Sequence, residues 1–135
     1  MGNIQYNLDE AFTPPDVLNL DWSDAERIGK YYILMDGEYK RIFPKNERTG
    51  ETIPVQVYKD YVHLKHIGGG VVTFARYRHQ GKWFYGDSRE EKSVPRDHIV
   101  KSISRMLFNG DEDRASEFIY EYLEGGDYSG TAHLQ

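Results

Sequence analysis

The spacing of apolar residues changes near Pro95, and this change limits the possible folds more than any other feature of the sequence. Before it, short apolar and aromatic runs are separated by glycine-containing turns, which is typical of antiparallel strands. After it, apolar residues recur at helical spacing, first at Ile99, Val100, Ile103, Met106 and Leu107. Strands followed by helices favour the α+β class. We therefore expect a twisted antiparallel β-sheet of hairpins, about five strands, with two C-terminal helices packed on one face.

Three turn signals define the predicted strands. Asp36-Gly37 separates YYILM from EYKRIF, and both residues of an Asp-Gly pair tolerate the positive φ of a type I′ hairpin turn. Gly68-Gly69-Gly70 predicts a turn between two strands, because a strand and not a helix follows it. Gln80-Gly81 predicts a second hairpin in the stretch VVTFARYRHQGKWFYG.

Two further local features are expected. Apolar positions shift from odd numbers, Val55 and Val57, to even numbers, Val62 and Leu64. Side chains alternate strictly along a strand, so this shift predicts a bulge or break near Lys59-Asp60. Residues 23–29 resemble a short helix that Ser23 caps and Gly29 ends.

The 135 residues fit one domain. We expect an N-terminal arm over 1–22, the β-sheet over 30–86, the helix pair over 94–124 and a flexible tail over 127–135. In the helix pair, Asn109-Gly110 ends the first predicted helix and Asp111 caps the second.

The absent features narrow the class of protein. The chain has no cysteine, which excludes disulfides, thiolate metal sites and thiol nucleophiles. No apolar run approaches the roughly 18 residues of a membrane-spanning helix, and the first residues do not resemble a secretory signal. His63 and His66 are three positions apart in a predicted strand, so they face opposite ways and do not form a metal pair. We expect a cytoplasmic protein with no cofactor, no metal site and no membrane partner.

Charge is distributed unevenly along the chain. The net charge is −5, yet residues 58–84 contain one acid, Asp60, and five basic residues. Residues 85–135 contain eleven acids and six bases. The centre of the sequence is therefore the basic part of an acidic protein.

The hairpin about Gln80-Gly81 supplies the main candidate site. Pairing through this turn sets Arg78 opposite Trp83 and Arg76 opposite Tyr85. Guanidinium groups beside aromatic rings form cation–π pairs, and Trp, Tyr and Arg dominate protein-binding hot spots. We name this set the Arg/Trp/Tyr face; it consists of Phe74, Arg76, Arg78, Trp83 and Tyr85. The opposite side of the hairpin, with Tyr77 and Phe84, is the expected core face.

A second group extends this candidate surface. Tyr61, His63 and Lys65 share one face of the preceding strand, and they lengthen the basic aromatic surface if that strand neighbours the hairpin. The alternative explanation of the hairpin face is a cross-strand ladder that stabilises the sheet. For Tyr61, His63 and Lys65 the alternative, and the more common case, is a solvated strand face.

The acidic helix pair is the other candidate surface. A short turn with Gly110 resembles a helix-turn-helix, but the second helix carries six acids and one base, Arg114, so phosphate repulsion argues against DNA binding. No catalytic motif is present, and no catalytic residue is assigned. The function predicted is a small non-enzymatic accessory, regulatory or inhibitor protein that acts through protein–protein contacts. Two alternatives stay open: a single-stranded nucleic-acid-binding module over 58–85, and a small enzyme with a dispersed site.

Overall fold

Nine elements follow one another in a computed structural model that describes residues 6–7, 19–79, 81–90 and 92–125. The strands are β1 Tyr6–Asn7, β2 Glu26–Ile28, β3 Tyr31–Ile42, β4 Lys45–Asn46, β5 Val55–His66, β6 Val71–His79 and β7 Lys82–Asp87. The helices are α1 Arg96–Leu107 and α2 Glu112–Tyr122. The expected tail over 127–135 lies outside the described residues, as does most of the expected arm over 1–22.

Five strands form one open antiparallel sheet in the order β2-β3-β5-β6-β7. The two helices pack against one side of it, where their apolar stripes meet β3, β5 and β6. This arrangement confirms the α+β fold. The centre of the core consists of Ile33, Val62, Leu64, Phe74, Ile99, Ile103, Ala115, Phe118 and Ile119. A separate two-stranded pair joins β1 to β4.

The helix boundaries follow the local signals. Asp111 accepts a hydrogen bond from the backbone N–H of Arg114 at 3.2 Å, which caps α2 as expected. Asn109 and Gly110 both have positive φ, 54° and 90°, and they end α1. These signals are local in sequence, so they could be read without knowledge of the fold.

The predicted hairpin at Asp36-Gly37 is wrong. Strand β3 runs without interruption through both residues, and Gly37 pairs with Asp60 in the middle of β5. All twelve residues of β3 pair with β5 in one register. A long ladder with β5 supplies more backbone hydrogen bonds than a two-residue turn could, so the non-local pairing prevails over the local turn preference.

The bulge expected near Lys59-Asp60 is also absent. Strand β5 keeps a constant register with β3 on one side and with β6 on the other throughout its described pairs. The shift in apolar numbering has another cause. Both faces of β5 are buried around its centre, so Tyr61 and Val62 are both core positions although they point in opposite directions.

Residues 23–29 do not form a helix. Ser23 donates to the carboxylate of Asp21 in a turn, and residues 26–28 then form β2, which pairs with the start of β3. Pairing with β3 gives this edge segment backbone hydrogen bonds and lets Ile28 pack on the core. A capping-box pattern followed by only a few residues does not by itself sustain a helix.

Candidate functional site

The hairpin of β6 and β7 has the predicted register. Arg78 pairs with Trp83, Arg76 with Tyr85 and Phe74 with Asp87, so the five residues of the Arg/Trp/Tyr face do share one side of the sheet. Gly81 has a φ of 77°, the left-handed conformation that a tight hairpin turn needs. Gln80 itself lies outside the described residues.

The expectation that this side is the solvent-facing one is wrong for three of the five residues. Phe74 is a core residue beneath the helices, and Tyr85 packs against the same core. The hydroxyl of Tyr85 donates to Glu124, which lies two residues after the end of α2. Burial, together with this hydrogen bond to a carboxylate, raises the pKa of Tyr85. The helices therefore cover the Arg/Trp/Tyr side and leave Tyr77 and Phe84 on the other face.

Arg76 is buried, with only 1% of its surface exposed. Its Nη2 lies 3.2 Å from Oδ2 of Asp60, the single acid of residues 58–84. Its guanidinium carbon lies 3.9 Å from the centre of the Trp83 ring. A buried charge needs such partners, so Arg76 holds the sheet together at this point and is not itself a contact residue.

Trp83 and Arg78 are the two residues of the predicted face that still reach the surface. Both are half-buried, and the guanidinium carbon of Arg78 lies 5.5 Å from the centre of the Trp83 ring. The indole is therefore contacted by two guanidinium groups and still reaches the surface. On this face of β7, Trp83 is the neighbour of Tyr85 on the side nearer the hairpin turn.

Tyr61, His63 and Lys65 do not extend this surface. Strand β5 does neighbour β6, but Val62 pairs with Phe74, which places the odd-numbered residues of β5 on the opposite face. Tyr61 and His63 are buried there, and Nδ1 of His63 lies 2.8 Å from the hydroxyl oxygen of Thr73. Lys65 is half-buried, with its Nζ 5.4 Å from the ring of Trp22.

A second polar cluster joins β7 to α1. The carboxylate of Asp87 is fully buried and receives two hydrogen bonds from the Arg89 guanidinium, at 2.8 and 3.0 Å. Nε2 of His98 lies 2.9 Å from the same carboxylate. Burial alone would raise the pKa of Asp87, but the hydrogen bonds from Arg89 and His98 outweigh it and lower the pKa. Asp97, the neighbour of His98 in sequence, pairs instead with Lys101.

An open cleft of about 590 Å³ lies where four segments meet: the turn between β2 and β3, the end of β5, the residues after β7, and the C-terminal part of α1. We call it the basic cleft, after Lys30, His66, Arg89 and Arg105, which line it. The hydroxyl-bearing residues Tyr31 and Ser102 also line it. The described lining residues include neither aspartate nor glutamate.

The backbone around the basic cleft is tied together. The N–H of Ile67 donates to the carbonyl of Lys30 at 2.9 Å, which links the two turns. The N–H of Gly68 donates to Nδ1 of His66 at 2.9 Å. These bonds hold His66 and Lys30 at the mouth of one cleft although they are 36 positions apart in sequence.

Sequence patterns did not predict the basic cleft. Its residues come from the turn before β3, from the end of β5, from the residues after β7 and from α1, so no sequence spacing connects them. The signal that existed was weak: Lys30 follows Gly29, which ends the expected short helix, and His66 lies just before the predicted turn at Gly68-Gly69-Gly70. Elsewhere in the described ranges, no three histidine, aspartate or glutamate side chains are arranged to hold a metal ion.

No protein-family model matches the sequence, and no curated protein and no solved structure matches the chain. Within the described residues, neither α1 nor α2 has the length and apolar character that crossing a membrane requires.

Proposed function

We propose that the protein is a non-enzymatic binding protein that recognises another protein through Trp83 and Arg78. The observation that supports this proposal is the half-buried indole of Trp83, whose ring centre lies 3.9 Å from the guanidinium carbon of Arg76 and 5.5 Å from that of Arg78. A rigid aromatic ring that is held in place and still reachable is the kind of anchor on which protein interfaces depend.

The buried neighbours of Trp83 strengthen the proposal. Arg76 is neutralised by Asp60 and stacks on the ring, so the indole is already fixed before a partner arrives. A side chain that is ordered in the free protein loses less conformational entropy on binding. Arg78 adds positive charge beside the ring, which suits a partner with an acidic rim.

The test uses two matched double variants. Arg78→Ala/Trp83→Ala removes one cation and one indole from the proposed contact. Trp22→Ala/Lys65→Ala removes the same chemistry from the opposite face, where Lys65 lies 5.4 Å from the Trp22 ring. Arg76 is left unchanged, because its loss would remove a buried charge that pairs with Asp60 and would destabilise the sheet.

The measurement is affinity capture from the native host, followed by titration of the purified partner against each variant. We expect Arg78→Ala/Trp83→Ala to weaken binding by at least about 30-fold, the effect of a hot spot worth about 2 kcal/mol. Trp22→Ala/Lys65→Ala should bind like the parent. The proposal fails if both variants bind the partner equally well.

Two other outcomes would favour a different binding surface or a different class of partner. If the partner is lost only when the exposed acidic residues of α2 are neutralised, the contact lies on the helices. These residues are Glu112, Asp113, Glu117 and Glu121. Binding of short single-stranded DNA that weakens with salt and is lost in Arg78→Ala/Trp83→Ala would favour the nucleic-acid hypothesis.

A further inference from the structure

We propose that the basic cleft binds a small ligand that carries a phosphate monoester. This proposal goes beyond the protein-binding role and concerns another part of the molecule. Arg78 pairs with Tyr58 near one end of β5, whereas His66 is the last residue of that strand. Eight residues of extended chain separate the two positions by about 26 Å.

Charge is the first argument. The protein has a net charge of −5, yet the described lining of the basic cleft contains cations and no carboxylate. Lys30 and Arg105 are both exposed, so their charges are available to a ligand. Arg105 also lies in the last turn of α1, where it offsets the negative end of the helix dipole and keeps the cleft favourable for an anion.

Arg89 adds a positioned donor. Its Nε and Nη2 bond to the buried carboxylate of Asp87, which holds the guanidinium in one orientation. An arginine has five N–H donors, and these two bonds use only two of them. The remaining donors suit an oxygen-rich anion, and a fixed guanidinium loses little entropy when it binds one.

His66 contributes a donor without needing a charge. Its Nδ1 accepts a hydrogen bond from the N–H of Gly68, so the proton of the neutral ring is on Nε2. The side chain therefore offers the N–H of Nε2 to a ligand. A Cβ at position 68 would lie 3.0 Å from Nδ1 of His66, so a larger residue there would push against the ring and disturb this hydrogen bond.

The shape and number of donors favour a phosphate monoester over a carboxylate. One arginine fork satisfies a carboxylate, whereas a phosphate monoester has three terminal oxygens and close to two negative charges. Cations from three separate segments surround the space, and Tyr31 and Ser102 line it as well. The volume of about 590 Å³ is in the usual range for small-molecule sites. The rings of Tyr31 and His66 meet edge to face, 5.2 Å apart, at the same site.

The test compares phenyl phosphate, inorganic phosphate, phenol and a thymidine oligonucleotide by NMR titration of the full chain. We expect saturable binding of phenyl phosphate with a millimolar or tighter dissociation constant. Amide signals of Lys30, Ile67, Gly68 and Arg105 should shift together. Inorganic phosphate should shift the same signals, more weakly, and phenol should not.

Variants identify the site. Lys30→Ala/Arg105→Ala removes two exposed cations and should weaken phenyl phosphate binding at least tenfold. Lys45→Ala/Arg48→Ala removes two exposed cations elsewhere and should leave it unchanged. Gly68→Ala should also weaken binding, and thermal unfolding will show that each variant is folded.

The proposal is overturned if phenyl phosphate does not saturate, if phenol binds equally well, or if both double variants bind like the parent. It is also overturned if the oligonucleotide binds the cleft more tightly than phenyl phosphate and is lost in Lys30→Ala/Arg105→Ala, since the cleft would then belong to a nucleic acid. None of these results depends on Trp83 or Arg78.

Discussion

Arg96 and Glu124 join the start of α1 to the end of α2. Nε of Arg96 lies 2.8 Å from Oε2 of Glu124, and its Nη2 lies 3.2 Å from Oε1. Glu124 is buried and also accepts the hydroxyl of Tyr85 from β7. One carboxylate thus connects both helices to the sheet.

Replacing Glu124 should destabilise the protein more than replacing another glutamate. Glu124→Ala removes the carboxylate that accepts hydrogen bonds from Arg96 and Tyr85, although Arg96 keeps its hydrogen bonds to Ser116. We expect a loss on the order of 2 kcal/mol in the free energy of unfolding. We expect no larger loss because Arg96 is about 29% exposed, so water partly screens its interaction with Glu124. Urea denaturation measures it, with the exposed Glu121→Ala as the control, which should change by less than about 0.5 kcal/mol. Equal effects of the two substitutions would contradict this role.

Two glycine substitutions test whether Asp36-Gly37 lies in a strand. Gly37 is paired with Asp60 in mid-strand, so Gly37→Ala should stabilise the fold by about 0.5 kcal/mol. Gly81 has a φ of 77° and nothing within 4 Å of an added Cβ, so Gly81→Ala should destabilise it by about 1 kcal/mol through backbone strain alone. Chemical denaturation of both variants provides the comparison. A turn at Asp36-Gly37 would make both substitutions destabilising.

Stability should fall as His63 becomes protonated in the unfolded chain. Burial lowers the pKa of His63 below its usual 6.5, and the nearby charge of Asp36 only partly opposes this. Above pH 6.5 the ring is neutral in both states. Below it the unfolded chain binds a proton that the folded protein does not, so the free energy of unfolding falls by up to about 1.4 kcal/mol per pH unit until the folded pKa is reached.

The check is urea denaturation between about pH 7.5 and about pH 5.5. His63→Gln should flatten this dependence. An NMR titration in which the His63 ring protonates with an ordinary pKa would refute the prediction.

Asp87→Asn should weaken the junction of β7 and α1. The ionised carboxylate accepts hydrogen bonds from Arg89 and His98, and we expect a loss of about 1 to 2 kcal/mol at neutral pH. The pKa of Asp87 is lowered from 3.8, so its stabilisation is present above that pH and is lost as pH falls through the lower, folded value. The difference between parent and variant should therefore narrow below pH 3.8. Asp97→Asn, in an exposed pair, is the control, and a constant difference at all pH values would argue against the assignment.

Part of the candidate site could be predicted and part could not. The register of β6 and β7 follows from a two-residue turn, so the partners of Arg78 and Arg76 were predictable. The face that becomes core was not, because both sides of this hairpin carry aromatic rings. The apolar stripes of α1 and α2 pack on Phe74 and so bury this side of the hairpin. The buried polar groups of Arg76 and Tyr85 then bind the carboxylates of Asp60 and Glu124.

Sequence alone determined the α+β class, the two helices with their caps, and the hairpin about residues 80–81. Each depends on interactions between residues a few positions apart, such as the hydrogen bond of Asp111 to Arg114. The tertiary structure decided the rest: it kept Asp36-Gly37 inside β3, buried both faces of β5, and brought Lys30, His66 and Arg105 to one cleft. Those outcomes depend on pairing and packing between distant segments, whose combined free energy exceeds the preference of any single turn.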